Sequence, residues 1–140
     1  MDNLLLRNSK FCEEGFEPGE ELSSLKEGAK LLVIGAGGLG CEILKNLALC
    51  GFKNVFVIDL DTIELSNLNR QFLFRKNDIG KFKAEVATNL IKSKFPHMDI
   101  KWDNKKVQQY ETSFFKDFHV IIGGLDNLEA RRWLNNLVHK

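Results

Sequence analysis

At 140 residues the chain has the length of about one domain, and 44% hydrophobic residues suit a globular protein with a real core rather than a disordered one. Twenty basic against nineteen acidic side chains leave a net charge of +1, which excludes recruitment of nucleic acid or an anionic membrane by a global field. No apolar run approaches the roughly eighteen residues that span a bilayer, Met1 to Lys10 lacks the apolar centre of a signal peptide, and Cys12, Cys41 and Cys50 form no CxxC pair. The composition therefore points to a soluble intracellular protein in a reducing compartment, without a disulfide framework or a structural zinc site.

Residues 1–26 carry many charges, Pro18 and only scattered apolar anchors, Phe11, Phe16, Leu22 and Leu25, and read as an amino-terminal extension. The domain itself is expected over 27–140. Its centre is Lys30 to Asp61, a strand, a glycine turn, a helix and a second strand. Leu31 to Ile34 suits a strand buried on both faces. It runs into Gly35-Ala36-Gly37-Gly38-Leu39-Gly40, the G-x-G-x-x-G spacing. That chemistry needs glycine for a tight turn at Gly35, for approach of backbone to phosphate at Gly37, and for close helix–strand packing at Gly40. Backbone N–H groups at the helix start, with the helix dipole behind them, then favour an anion.

A helix predicted over Leu39 to Cys50 places Leu39, Cys50, Ile43, Leu47, Leu44, Ala48 and Cys41 on one arc, with Lys45, Glu42 and Asn46 opposite. The second strand, Val55 to Ile58, delivers Asp59, an acid positioned to accept hydrogen bonds from ribose hydroxyls. Dinucleotide and mononucleotide both remain open on this pattern.

Asp61 to Phe74 has no sustained period and is predicted to be a loop with a short helical turn, at the carboxyl end of a strand where open α/β sheets bind ligands. Gly80 punctuates the entry to a helix from Lys81 to Lys94, whose apolar arc of Val86, Leu90, Ala87 and Ile91 is broken by Lys83. A lysine there either snorkels to water or serves a site. Asp99 to Trp102 reads as a third strand, Val107 to Phe115 as ambiguous with a short helix, and Phe118 to Ile122 as a fourth strand. Gly123-Gly124-Leu125-Asp126 follows, then a helix from Asn127 to Val138. Asp126 has two readings that can coexist, a helix N-cap with Glu129 as its capping-box partner, or a carboxylate holding Mg²⁺ against nucleotide phosphates.

The ordered set GAGGLGCE, DLDTIELSNLNRQFLF, DIGKFKAE and GLDN resembles the ThiF-like adenylating family, whose members use ATP to activate the carboxyl-terminal glycine of a ubiquitin-fold protein. Within the family, the branch acting on the neddylation modifier is matched in Phe16-Glu17-Pro18, Leu47-Ala48-Leu49, Phe72-Leu73-Phe74-Arg75 and Ala130-Arg131-Arg132-Trp133. The resemblance implies an α/β fold, a Rossmann-like, mostly parallel sheet with flanking helices that is a truncated part of an adenylation domain. It implies ATP and Mg²⁺ as cofactors, with Gly35, Gly37, Gly38, Gly40, Asp59, Asp61, Asn67, Arg70, Gln71 and Lys83 around the nucleotide. Arg70, Lys83 and Asp126 are then the catalytic set, and Asp126 the magnesium ligand.

The implied partners are a ubiquitin-like modifier, a non-catalytic subunit of a heterodimeric enzyme and a downstream conjugating enzyme, with no nucleic acid and no membrane, in the cytoplasm and also the nucleus. Zinc and the thioester cysteine belong, on this resemblance, to later parts of the family architecture, and the chain is expected to be an amino-terminal fragment. Its own thiols have structural explanations. Cys50 lies on the core arc, Cys12 lies in the extension, and Cys41 sits at the arc's edge, although a helix start lowers a thiol pKa.

Ubiquitin or the sumoylation modifier is the alternative substrate. A nicotinamide-dependent oxidoreductase shares the first βαβ unit but gives no task to Asn67, Arg70, Lys83 and Asp126 together. A degenerate scaffold subunit is opposed by the intact glycines and polar positions.

Overall fold

The structure, a computed structural model, describes residues Glu20 to His139. Cys12, the Phe16-Glu17-Pro18 match and most of the expected extension lie outside the described residues. Its last part is helical: α1, Glu20–Gly28, leads into β1, Lys30–Ile34. There follow α2 (Gly38–Cys50), β2 (Asn54–Ile58), α3 (Lys83–Lys94), β3 (Asp99–Asp103), α4 (Thr112–Phe115), β4 (Val120–Gly123) and α5 (Leu128–Val138). The four strands form one parallel sheet in the order β3-β2-β1-β4. Leu31 pairs with Val55 on one side and with Val120 on the other.

Strand β1 is buried throughout after Lys30 because both faces of the sheet are covered. Leu31 and Val33 join a cluster with Cys41, Leu44 and Ala48 of α2 and Ala84, Ala87 and Ile91 of α3. Leu32 and Ile34 point the other way, into a cluster with Ile58, Val107 and Phe115, against which Trp133, Leu134 and Leu137 of α5 pack. The alternation of side chains along a strand thus feeds two cores from one apolar run.

Several boundaries differ from those read in the sequence, each for a local reason. Leu39, expected on the buried arc of α2, is 56% exposed. The helix presses Gly40 against the turn, which turns Gly40, Cys41, Leu44 and Ala48 inward and leaves Leu39 and Leu49 on the far side. At its other end Gly51 takes φ +87, and the N–H groups of Gly51 and Phe52 return to the carbonyls of Ala48 and Leu47, both at 3.1 Å, closing the helix with a glycine cap. Helix α3 starts at Lys83, not Lys81, because Lys81 offers its carbonyl to the Ile63 N–H and Phe82 pairs with Thr62 in an antiparallel bridge. Strand β4 starts at Val120, since the Phe118 ring is drawn edge-on to Phe56 and Phe114 in the second core. Helix α5 is capped by Asn127, whose Oδ1 accepts the N–H groups of Glu129 at 2.8 Å and Ala130 at 3.2 Å. The cap expected at Asp126 is therefore one residue later, and Asp126 is left exposed ahead of the helix.

The glycine turn is fixed by packing as well as by torsion. Gly35 has φ +100, and a Cβ on Gly40 would lie 2.0 Å from the Gly35 carbonyl oxygen. A Cβ on Gly37 would meet nothing within 4 Å. Gly40→Ala is accordingly expected to lower stability by about 3 kcal/mol or more through backbone overlap. Gly37→Ala should lose less than about 1 kcal/mol, the glycine–alanine difference at a helix N-cap. Urea midpoints at unchanged slope would separate the two, and equal midpoints would contradict the packing account.

Candidate functional site

The sheet order reverses between β1, which continues through β2 to β3, and β4 on its other side. The crevice outside the carboxyl ends of the strands at such a switch point is where open α/β sheets bind ligands. Here the loops after β1 and β4 are in backbone contact. A Cβ on Gly35 would lie 2.7 Å from the Gly124 carbonyl oxygen, and the Gly124 N–H donates to the Ile34 carbonyl at 2.7 Å. Asp126 follows Gly124 by two residues and is exposed, and its side chain makes no hydrogen bond or ion pair within the described residues.

Asp59 ends β2 and reaches back to the glycine loop. Its Oδ2 accepts the Ala36 N–H at 2.5 Å, and its Oδ1 accepts the Asp61 N–H at 2.8 Å. Burial is the largest influence and pushes its pKa up, outweighing the two N–H groups and Lys83 that favour the carboxylate. A carboxylate has about four lone-pair positions, so two remain for hydroxyl donors.

Lys83, open on the hydrophobic pattern alone but expected at the nucleotide from the family resemblance, is buried, and its Nζ bonds Asp61 Oδ2 at 2.9 Å. Asp61 binds it twice, since the Lys83 N–H donates to the Asp61 carbonyl, also at 2.9 Å. A continuous polar chain therefore runs from Ala36 in the turn through Asp59 and Asp61 to Lys83 at the start of α3.

The loop between β2 and α3 lies over the turn, with the Arg70 carbonyl oxygen 3.4 Å from where a Gly38 Cβ would be. A 3₁₀ turn over Leu65–Asn67 shapes it. Asn67, expected to face phosphates, is buried, and its Oδ1 caps this turn by accepting the Glu64 N–H at 2.9 Å. Arg70 is exposed, and its Nη1 donates to the Ser66 carbonyl at 2.8 Å and to Asn69 Oδ1 at 3.2 Å. Gln71 is buried, and its Oε1 is a buried polar atom without a partner. A 180° turn of that amide presents an NH₂ group, a donor suited to an anion.

These residues fit a nucleoside triphosphate: an open glycine at a helix start, an unpaired amide, a buried lysine and an acid with acceptor capacity to spare. For a divalent cation the fit is narrower. Among the described residues no three His, Cys, Asp or Glu side chains gather to hold a metal. A single carboxylate such as Asp126 suits Mg²⁺ when the remaining ligands are phosphates and water. Cavity shape points elsewhere, to a groove of about 370 Å³ lined by Leu73, Arg75, Lys81 and Leu90 among others. Both of its cations are already engaged, Lys81 with Asp78 and Arg75 with the carbonyls of Phe72 and Phe74.

The fold and the site together define a parallel α/β domain with a glycine-rich turn at the switch point. Residues 7–140 match the ThiF family model, and the chain belongs to that family. It is 51% identical over 139 residues to the Nedd8-activating enzyme E1 catalytic subunit of Drosophila melanogaster, covering 99% of this chain and 31% of that protein. It is 48% identical over 113 residues to the SUMO-activating enzyme subunit uba-2 of Caenorhabditis elegans, covering 79% of this chain and 19% of that one. A crystal structure of E. coli MccB with ATP superposes with a TM-score of 0.68 at 27% identity, covering 84% of this chain and 34% of that one. The chain thus spans about a third or less of the length of the relatives it matches.

Cys41, at the start of α2, is fully buried with its thiol toward the Ala36 carbonyl at 3.6 Å. Burial pushes its pKa up to about 11, overriding any help from the helix start. It therefore remains a thiol at neutral pH. Because its folded pKa exceeds the unfolded value, its contribution to stability is complete at neutral pH and is lost as pH rises toward 11. Iodoacetamide is expected to leave Cys41 unlabelled at pH 8 in the folded protein and to label it on unfolding. Rapid labelling of the native state would contradict this.

Proposed function

We propose that the chain is the nucleotide-binding part of an enzyme that activates a ubiquitin-like modifier with ATP, most specifically the neddylation modifier. The observation that carries this reading is the polar chain Ala36–Asp59–Asp61–Lys83, which ties a ribose acid and a buried lysine to the phosphate turn. A hydride-transfer enzyme needs the turn and the acid but has no use for the buried lysine. The preference among modifiers rests on coverage, 99% for the Nedd8-activating relative against 79% for the SUMO-activating one. The sumoylation modifier remains the runner-up because the identities are close.

In the reaction, the ionised terminal carboxylate of the modifier attacks the α-phosphorus of ATP. An oxygen–phosphorus bond forms, the bond to the bridging oxygen of the β-phosphate breaks, and pyrophosphate leaves with an acyl-adenylate remaining. The attacking carboxylate is already deprotonated, so no general base is required. Catalysis then consists of positioning and of charge stabilisation.

The α2 N-terminus and the open Gly37 receive phosphate oxygens, and Asp59 accepts ribose hydroxyls. Lys83 keeps its Nζ at a fixed place for a phosphate oxygen, because burial and the bond to Asp61 leave the side chain little freedom. Arg70 is suited to follow developing charge, since releasing it breaks only exposed contacts to Ser66 and Asn69. Asp126 would hold Mg²⁺, which when bound neutralises phosphate charge. Transfer to a thioester is assigned to the longer protein, as Cys41, the thiol beside the glycine turn, is fully buried. A non-catalytic partner subunit and a conjugating enzyme complete the proposed setting.

The test is pyrophosphate exchange by the full-length protein with its partner subunit, supplied with each modifier in turn. Exchange with the neddylation modifier is expected, and exchange only with another modifier would reassign the substrate. Arg70→Ala should lower the exchange rate by about 10² to 10³ while leaving the melting temperature near wild type. Asp126→Ala should abolish the magnesium dependence without loss of stability, because the cap of α5 is Asn127. Asn127→Ala should instead destabilise by about 1 kcal/mol with exchange intact.

A further inference from the structure

The end of β3 carries a polar and aromatic arrangement that the phosphate chemistry does not use. Tyr110 donates its hydroxyl to Asp103 Oδ2 at 2.7 Å, and Lys105 Nζ reaches the same oxygen at 3.1 Å. The Lys105 ammonium also lies 5.7 Å from the centre of the Tyr110 ring. That ring stacks on Phe114 at 4.3 Å and meets Phe115 edge-on at 6.3 Å, so it is anchored in the second core. Between the two residues the chain makes a 3₁₀ turn, Val107–Gln109, with Val107 buried and Gln109 Oε1 accepting the Lys106 N–H at 3.0 Å. Asp103 and Tyr110 thus close the two ends of a six-residue loop against a fixed aromatic base.

The position of this loop follows from strand order. The phosphate turn leaves β1, the ribose acid leaves β2, and β3 is the next strand out. The Asp59 N–H donates to the Asp103 carbonyl at 3.2 Å, so the β3 loop starts directly beside the ribose acid, on the side away from the phosphates. A nucleotide with its phosphates at Gly37 and its ribose on Asp59 would have this loop beside its base.

We propose that Asp103 and Tyr110 are positioning residues, a clamp that holds the loop of residues 104–109 in the shape that receives the nucleobase and so sets the preference for ATP over other triphosphates. The inference rests on the ATP reading above and deepens it. Neither side chain need touch the base. The clamp acts through the loop backbone, which without the Tyr110–Asp103 bond can move away from the aromatic cluster and lose its fixed set of base-facing groups. Preorganisation of this kind appears as affinity and selectivity rather than as rate.

The experiment is calorimetric titration of the full-length heterodimer with ATP and separately with GTP, alongside pyrophosphate exchange at varied ATP. Tyr110→Phe keeps the ring and its stacking and removes only the hydroxyl. It is expected to weaken ATP binding about tenfold, to raise the KM for ATP in parallel, and to leave kcat within about twofold, the pattern of lost ground-state positioning. GTP binding should change little, so the ATP-to-GTP preference contracts. Asp103→Asn retains an acceptor for the hydroxyl and should restore most of the preference, whereas Asp103→Ala should behave like Tyr110→Phe. Wild-type ATP affinity in Tyr110→Phe, or equal weakening of ATP and GTP, would overturn the clamp. The two readings fail separately, because a wild type that binds ATP but exchanges pyrophosphate with no modifier counts against modifier activation and not against the clamp.

Discussion

A methyl group on Gly40 would lie 2.0 Å from the Gly35 carbonyl oxygen, and one on Gly35 would lie 2.7 Å from that of Gly124. Three stretches of backbone therefore meet with no room for a side chain, and the rest of the site depends on that meeting. It sets the helix start over the end of β1, draws the loop after β4 into the same corner, and fixes which face of α2 is buried. The contact is steric, so it tolerates no conservative replacement. It also explains why Gly37, between them, is free to face a ligand: the helix is already located by its neighbours.

The same constraint shows why some of the fold was legible in the sequence and some was not. The βαβ unit could be read because the glycine spacing, the apolar run and the acid at Asp59 all record one geometry. The arc of α2 differs from the sequence pattern at Leu39 because hydrophobic periodicity weighs side chains alone. Here the innermost residue of the helix start is Gly40, which has none. At α5, Asp126 and Asn127 are both good caps by residue type, and only the backbone turn after Gly124 selects the second. At α3, the pairing of Thr62 with Phe82 delays the helix by two residues, a tertiary contact that no local signal carries.

The site residues divide along similar lines. Lys83 could be noticed as a break in an apolar arc, but its partner Asp61 lies twenty-two residues away, and nothing in the local pattern joins them. By sequence Asn67, Arg70 and Gln71 are alike, all three polar residues of one loop. The structure separates them: Asn67 is spent on capping the loop's own turn, Gln71 holds an unpaired buried oxygen, and Arg70 faces water. Polar composition indicates a functional loop, while burial and partners decide which of its residues are free to serve a ligand. Tyr110 gave no signal at all, since an aromatic residue before two phenylalanines reads as core until its hydroxyl is found on Asp103.

The ion pair of Lys83 with Asp61 is asymmetric in a way that bears on its use. The lysine side chain is 10% exposed and the aspartate side chain 57%. The desolvation of Lys83 is therefore largely met within the folded chain, while its counter-ion stays in contact with water and is easily screened. Such a pair contributes little net stability, because an exposed carboxylate gives up favourable hydration for each bond it makes. Its value lies in keeping the buried Lys83 side chain aimed before any anion arrives. A triphosphate that enters the corner beneath the glycine turn brings more negative charge than Asp61 supplies. In the adenylation reading it can then share Lys83 without that lysine first being ordered or stripped of water. Asp59 is built in the opposite sense. Burial works against its charge, two backbone N–H groups partly restore it, and its stabilising influence on the fold falls as pH rises through its raised pKa. A carboxylate held there at the expense of folding is better explained by a hydroxyl-bearing ligand than by the needs of the sheet.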